Sequence, residues 1–210
     1  MDDVNATGRA AARLLGALLA GALMIGGCQS VPENPAFKVE PPEYEYVVGP
    51  GDSLNIFVWR NPEVSQTVTV RPDGKISTPL VEDLVANGKT PTQIAREIEQ
   101  VLSTYIKEPI ATVIVGGFVG PYDTQIRILG EAANPQAIPY RANMTLLDVM
   151  IAVGGLTQFA DGNGAVITRW VEGQQVQTGV RVQDLVRDAD ISANLPMKPG
   201  DILMIPESWF

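Results

Sequence analysis

Val48-Gly49-Pro50-Gly51-Asp52-Ser53-Leu54-Asn55-Ile56 and Met197-Lys198-Pro199-Gly200-Asp201-Ile202-Leu203-Met204-Ile205 are two copies of one phrase, Pro-Gly-Asp followed by an alternating apolar run. Proline presets φ for a turn, glycine accepts the positive φ that follows, and aspartate bonds the amides of the turn. A strand then departs, in the first copy with Leu54, Ile56 and Val58 on one face. The phrase is a device for entering a strand, and its two copies bracket one structured stretch of chain.

Working outward from the first copy, residues 54–58 and 64–70 alternate apolar and polar on either side of Arg60-Asn61-Pro62-Glu63. Pro72-Asp73-Gly74 then turns the chain into Lys75-Ile76-Ser77, so three short antiparallel strands are expected. Thr90-Pro91-Thr92-Gln93 places threonine at the N-cap, proline at N1 and glutamine at N3, a strong helix start. Ile94, Ile98, Val101, Leu102 and Tyr105 fall on one face of that helix, a stripe read as core packing. Residues 110–115 form a β-branched strand that closes the first unit, and Gly116, Gly117, Gly120 and Pro121 mark 116–122 as a hinge.

The second unit opens with a strand over 125–129 and a loop at Gly130 and Asn134-Pro135. A short helix over 144–153 is capped by Asn143 or Thr145 and stopped by Gly154-Gly155. Residues 165–171 and 174–180 flank Glu172-Gly173 as a hairpin, 182–187 form a brief helix, and the second phrase launches the last strand. One helix on a small mixed sheet, twice over, predicts an α+β chain.

The N-terminus has a different character. Residues 14–27 are apolar, with Arg9 and Arg13 before them and Gly26-Gly27 just before Cys28. The stretch is too short and glycine-rich for a bilayer-spanning helix and reads as a secretory signal peptide over 1–27. Ile25-Gly26-Gly27-Cys28 looks like a bacterial lipobox, which makes Cys28 the expected lipid-attachment site. Several acyl chains together form a stable anchor, and Gln29 in place of aspartate favours the outer membrane. Residues 28–45, with Pro32, Pro35, Pro41 and Pro42 among glutamates, read as an extended tether.

Composition excludes much. The chain has 210 residues and a net charge of −9, and removal of 1–27 deletes Asp2 and Asp3 with Arg9 and Arg13, leaving that charge unchanged. Phosphate neutralisation requires basic surface, so nucleic acid is not an expected partner. There is no histidine, and the one cysteine is assigned to lipid, which removes Ser-His-Asp and Cys-His catalysis and the usual zinc sites. Gly88-Lys89-Thr90 lacks the upstream glycine of a P-loop because Asp83 stands there. Asp161-Gly162-Asn163-Gly164 lacks the remaining ligands of a calcium loop and reads as a tight loop. The acid pairs Glu82/Asp83 and Glu97/Glu99 are sequence neighbours and do not face each other across a substrate bond as a glycosidase requires. Neither an enzyme, a cofactor nor a metal is expected.

Together these residues resemble the bacterial outer-membrane polysaccharide export lipoproteins. Tyr46-Val47-Val48 with the first Pro-Gly-Asp phrase, Val70-Arg71-Pro72-Asp73-Gly74-Lys75-Ile76-Ser77-Thr78-Pro79-Leu80, the capped helix and Pro109-Ile110-Ala111-Thr112-Val113 are similar to the family's export domain. Leu129-Gly130-Glu131, Thr145-Leu146-Leu147-Asp148 and Gly154-Gly155-Leu156-Thr157 are similar to its SLBB-type β-grasp module. The resemblance implies an export domain over 46–117, a β-grasp domain over 124–206 and a tail over 207–210. Gly51, Asp52, Asp73, Gly74, Gly154, Gly155, Gly200 and Asp201 are its structural motif residues.

It further implies a lipid-anchored protein on the periplasmic face of the outer membrane. Such proteins form a homo-oligomeric ring and passively conduct capsular or exopolysaccharide delivered by an inner-membrane copolymerase. Well-known members continue into further β-grasp modules and an amphipathic pore helix. The sequence here stops at Pro206-Glu207-Ser208-Trp209-Phe210, so a separate pore component is expected to complete the passage. The short build and this ending resemble exporters of exosortase-type exopolysaccharide clusters. Trp209 and Phe210 are assigned to contact with a neighbouring subunit or the membrane, and Trp59 and Trp170 to packing. A LysM-like wall-binding module and a periplasmic scaffold are the alternatives. The LysM reading would need two helices soon after the first strand, where 64–77 reads as strand, turn and strand.

Overall fold

The computed structural model describes Phe37 and residues 43–209. Cys28, the expected signal peptide over 1–27, the rest of the expected tether up to residue 42 and Phe210 lie outside the described residues. Strand β1 (Ser53–Val58) buries Leu54, Ile56 and Val58 and turns Asn55 and Phe57 outward, the period-two pattern of a sheet covered on one face. After it, Pro62–Val64 makes a short 3₁₀ turn and β2 (Gln66–Thr69) begins two residues later than the alternation at Val64 suggested. Ser65 is the reason: its hydroxyl accepts from Val58 N–H at 2.9 Å, so a side chain takes the place of a ladder bond there.

The Pro72-Asp73-Gly74 turn leads into β3 (Lys75–Thr78), which pairs with β4 (Val81–Val85) as a separate two-stranded sheet. Helix α1 (Pro91–Leu102) starts with the expected capping box, Thr90 Oγ1 accepting from Gln93 N–H and Gln93 Oε1 from Thr90 N–H. It buries Ile94, Ala95, Ile98 and Leu102. Tyr105 lies beyond its end and is exposed, contrary to the expected stripe, because the helix stops at the Ser103 cap. Strand β5 (Ala111–Gly117) returns antiparallel to β1, giving the sheet order β2-β1-β5. No α-helix lies between β1 and Pro91, so the arrangement of a LysM repeat is absent there.

In the second unit, β6 (Ile126–Gly130) and the two-residue β7 (Ala137–Ile138) precede helix α2 (Leu146–Val153). Asp148 accepts from both the N–H and the hydroxyl of Thr145, and Gly154 ends the helix at φ 79°. The hairpin β8 (Ala165–Val171) with β9 (Gln174–Val180), helix α3 (Val182–Arg187) and β10 (Ile202–Ile205) complete it. The sheet order is β7-β6-β10-β8-β9, with β10 parallel to β6 and antiparallel to β8. The chain is α+β, as expected. Each unit has its own core, one around Leu54, Ile76, Ile94 and Ile98, the other around Ile128, Leu146, Met150, Ile167 and Leu203. Full burial of each such side chain contributes about 1.5–3 kcal/mol.

Candidate functional site

The two Pro-Gly-Asp phrases fold into the same turn. Gly51 and Gly200 take φ values of +91° and +83°. Asp52 N–H donates to Gly49 C=O and Asp201 N–H to Lys198 C=O, both at 3.2 Å. Each Oδ2 accepts from the N–H of that same residue at 2.8 Å. Both carboxylates are 0% exposed, so each requires further partners, and here the copies diverge.

Asp52 fastens the chain between the units. Its Oδ1 accepts from Val119 N–H at 2.6 Å and Gly120 N–H at 2.9 Å, and Tyr46 donates its hydroxyl to Oδ2 at 2.5 Å. Gly49 seats directly on this strap, since a Cβ there would stand 2.1 Å from the carbonyl carbon of Gly120. Residues 116–122, read as a hinge, are thus held by charge-assisted hydrogen bonds. Burial, and then the bond to Asp52, push the Tyr46 phenol above its ordinary pKa.

Asp201 instead pairs with Arg169, accepting from Nε at 2.8 Å and Nη2 at 2.7 Å. Nη2 also reaches Pro196 C=O, and the Phe37 ring lies 4.1 Å from the guanidinium carbon. Phe37, within the expected tether, is instead 1% exposed in the second core. Gly200 abuts the linker as well, a Cβ there falling 2.6 Å from the Asp123 carbonyl oxygen. Both turns therefore face the junction. Beside it, Tyr44, Tyr46, Phe118 and Tyr140 line a cleft of about 640 Å³, with Tyr44 set edge-on to Tyr140 at 4.9 Å and Tyr46 to Phe118 at 5.3 Å. Burial raises the Tyr44 and Tyr140 phenols too.

The other motif residues are local. Asp73 bonds Arg71 and Lys75 N–H, and the Arg71 bond, before all else, holds its carboxyl below the usual range. Gly74 has φ 78° and no room for a Cβ against Asn87. Gly154 and Gly155 close α2, with Gly155 N–H donating to Met150 C=O. Three of the four paired acids are engaged in local ion pairs, Asp83 with Arg71, Glu97 with Lys89 and Glu99 with Arg96, and Glu99 also accepts from Ala111 N–H, while Glu82 is exposed.

Trp59 and Trp170 correct the packing assignment, being 55% and 62% exposed. Trp59 follows the outermost buried residue of β1, and Trp170 is turned out because Arg169 holds the inward position beside it. Trp209 is 90% exposed. The sequence alone gives Tyr46, quoted only as part of the export-domain motif, no bonding role, and it gives Arg169 no role at all. For Arg169 a signal existed: a charge in phase with the inward Ala165 and Ile167 of β8 demands a buried acid.

Among the described residues there is no cluster of acids and cysteine able to hold a metal, and no helix long and apolar enough to cross a membrane. Residues 40–116 match the family model described as polysaccharide biosynthesis/export protein, and residues 125–181 match the SLBB domain. The exopolysaccharide production protein ExoF of Rhizobium meliloti is 31% identical over 179 residues, 78% of this chain and 41% of that protein. The capsule polysaccharide export protein BexD of Haemophilus influenzae is 29% identical, over 77% of this chain and 44% of its own length. For the capsule polysaccharide export outer membrane protein CtrA of Neisseria meningitidis the figures are 28%, 73% and 42%. The chain spans less than half the length of these relatives. With both domain models matched in the order in which the two units fold, the chain belongs to the polysaccharide export protein family.

Proposed function

We propose that this chain is a periplasm-facing outer-membrane lipoprotein, anchored through Cys28, that forms a homo-oligomeric ring and conducts capsular or exopolysaccharide across the envelope. The observation that carries the reading is the pair of consecutive domain matches over 40–116 and 125–181. The polymer is delivered by an inner-membrane copolymerase, and a separate outer-membrane pore component completes the passage. The short exosortase-associated branch is the subfamily proposed. The protein is a transport component and does no covalent chemistry on its cargo.

A ring needs two different patches on each subunit, joined head to tail. The outward face of the first sheet, with Phe57, Trp59 and Ile114 exposed, supports one such patch. Trp209 and Phe210 supply another contact, with a neighbouring subunit or the membrane interface. Asp52, by fastening the linker, gives each subunit the fixed shape that a closed ring requires.

The test is to extract the lipidated protein from membranes, image it, and compare surface polysaccharide with and without the gene. Rings together with loss of polysaccharide on deletion are expected. A monomer in detergent with polysaccharide unchanged would overturn the proposal. Removing the last four residues is expected to weaken assembly and export, and unchanged assembly and export would remove Trp209 and Phe210 from it.

A further inference from the structure

We infer that the junction carries a binding groove for carboxylate-bearing sugar residues of a polysaccharide. The inference rests on the export reading above for its cargo and adds a site and a chemical class. Two clefts share Tyr44 and Tyr140. One, of about 640 Å³, continues to Phe118 and Arg141, and the other, of about 360 Å³, continues to Trp170, Arg169 and Lys198. Both are of the size of small-molecule sites, and an aromatic wall with a few placed charges is the usual make-up of such a site.

Phe118 and Trp170 are exposed, one toward each end of this groove. Aromatic faces suit the apolar C–H faces of pyranose rings. The cations set the class. Arg71, Lys89, Arg96, Arg169 and Arg181 are all committed to acids. Arg141 and Lys198 have no ion-pair partner among the described residues. Glu43 lines the second cleft without reaching ion-pair distance of Lys198. Arg169, though paired with Asp201, keeps a buried Nη1 with no hydrogen-bond partner among the described residues.

In a chain of net charge −9, two unneutralised cations flanking one aromatic wall complement an anion. A carboxylate on a stacked sugar accepts the charge-assisted bonds they offer. A neutral glycan would leave them idle, and a bare polyanion would have no use for the aromatic faces.

The full-length protein in detergent is titrated calorimetrically with oligoguluronate and, as a neutral control, dextran oligosaccharides. Oligoguluronate is expected to bind at least tenfold more tightly than dextran and to weaken as salt is raised. Arg141→Gln/Lys198→Gln is expected to lose at least tenfold in affinity with an unchanged melting curve, while Arg60→Gln/Lys107→Gln, which removes the same charge elsewhere, binds as wild type. Equal binding of both sugars, no binding of either, or an Arg141/Lys198 variant that binds as wild type would overturn the inference. So would a variant altered only in oligomeric mass, which would assign the groove to a neighbouring copy. In a gene-deletion strain, wild-type complementation that restores surface polysaccharide upholds the export reading whatever the titration gives. Failure of that complementation counts against the export reading alone.

Discussion

Asp52 and Asp201 are the same residue in the same turn with different second partners, and the difference is energetic. Asp201 neutralises a buried guanidinium, so Asp201→Asn leaves Arg169 uncompensated and is expected to cost about 3–5 kcal/mol. Asp52→Asn keeps one acceptor but turns an amide donor toward either Gly49 N–H or the Val119 and Gly120 N–H groups, at an expected cost of about 2–3 kcal/mol. Urea denaturation followed by far-UV circular dichroism should rank the two in that order. Tyr46 adds a pH dependence. Its phenol pKa is raised in the fold, so the neutral form is favoured there. The stability it contributes is complete below the unfolded phenol value of about 10 and is lost as pH rises through the folded value. Alkaline titration of the unfolding midpoint should fall less steeply in Tyr46→Phe, with Tyr44 and Tyr140 leaving a residual slope.

At the scale of elements, legibility followed locality. Helix α1 was readable because its start is written in four adjacent residues, and Thr90→Ala is expected to cost about 1 kcal/mol in thermal or urea unfolding. The β8–β9 hairpin was equally plain, its turn being Glu172-Gly173 between two alternating runs. Strand β4 was missed. Leu80 and Asp83 adopt φ values of 66° and 51°, and the β3–β4 register shifts between Ile76 and Thr78. That irregularity erases the period-two pattern on which strand detection depends. β7 was missed because two residues carry no periodicity at all. Its pairing with β6 across Ile126 and Ile138 supplies what local pattern lacks.

For the whole molecule, the junction sets how the units behave together. Asp52, Tyr46 and Gly49 from one side grip Val119, Gly120 and Pro121. A single calorimetric unfolding transition is therefore expected for the wild type. Gly49→Ala drives a Cβ into the Gly120 backbone, where no rotamer change relieves the clash. It should lower stability by about 1–3 kcal/mol and separate the transition into two, and one unchanged transition would show that the strap does not couple the units.

The α+β class, the capped helices, the two strand-entry turns and, through motif order, the family are all legible along the linear chain. These depend on residues close together in the chain, where dihedral preference and side-chain period act directly. It takes the folded chain to show that the apparent hinge is a strap, that Phe37 belongs to a core, that Arg169 is the partner of Asp201, and that Tyr44 and Tyr140 form one wall with Trp170 at one end of the groove. Each of those joins groups distant in the chain. A buried carboxylate must find donors wherever the fold brings them, and its own neighbours do not say which donors those will be.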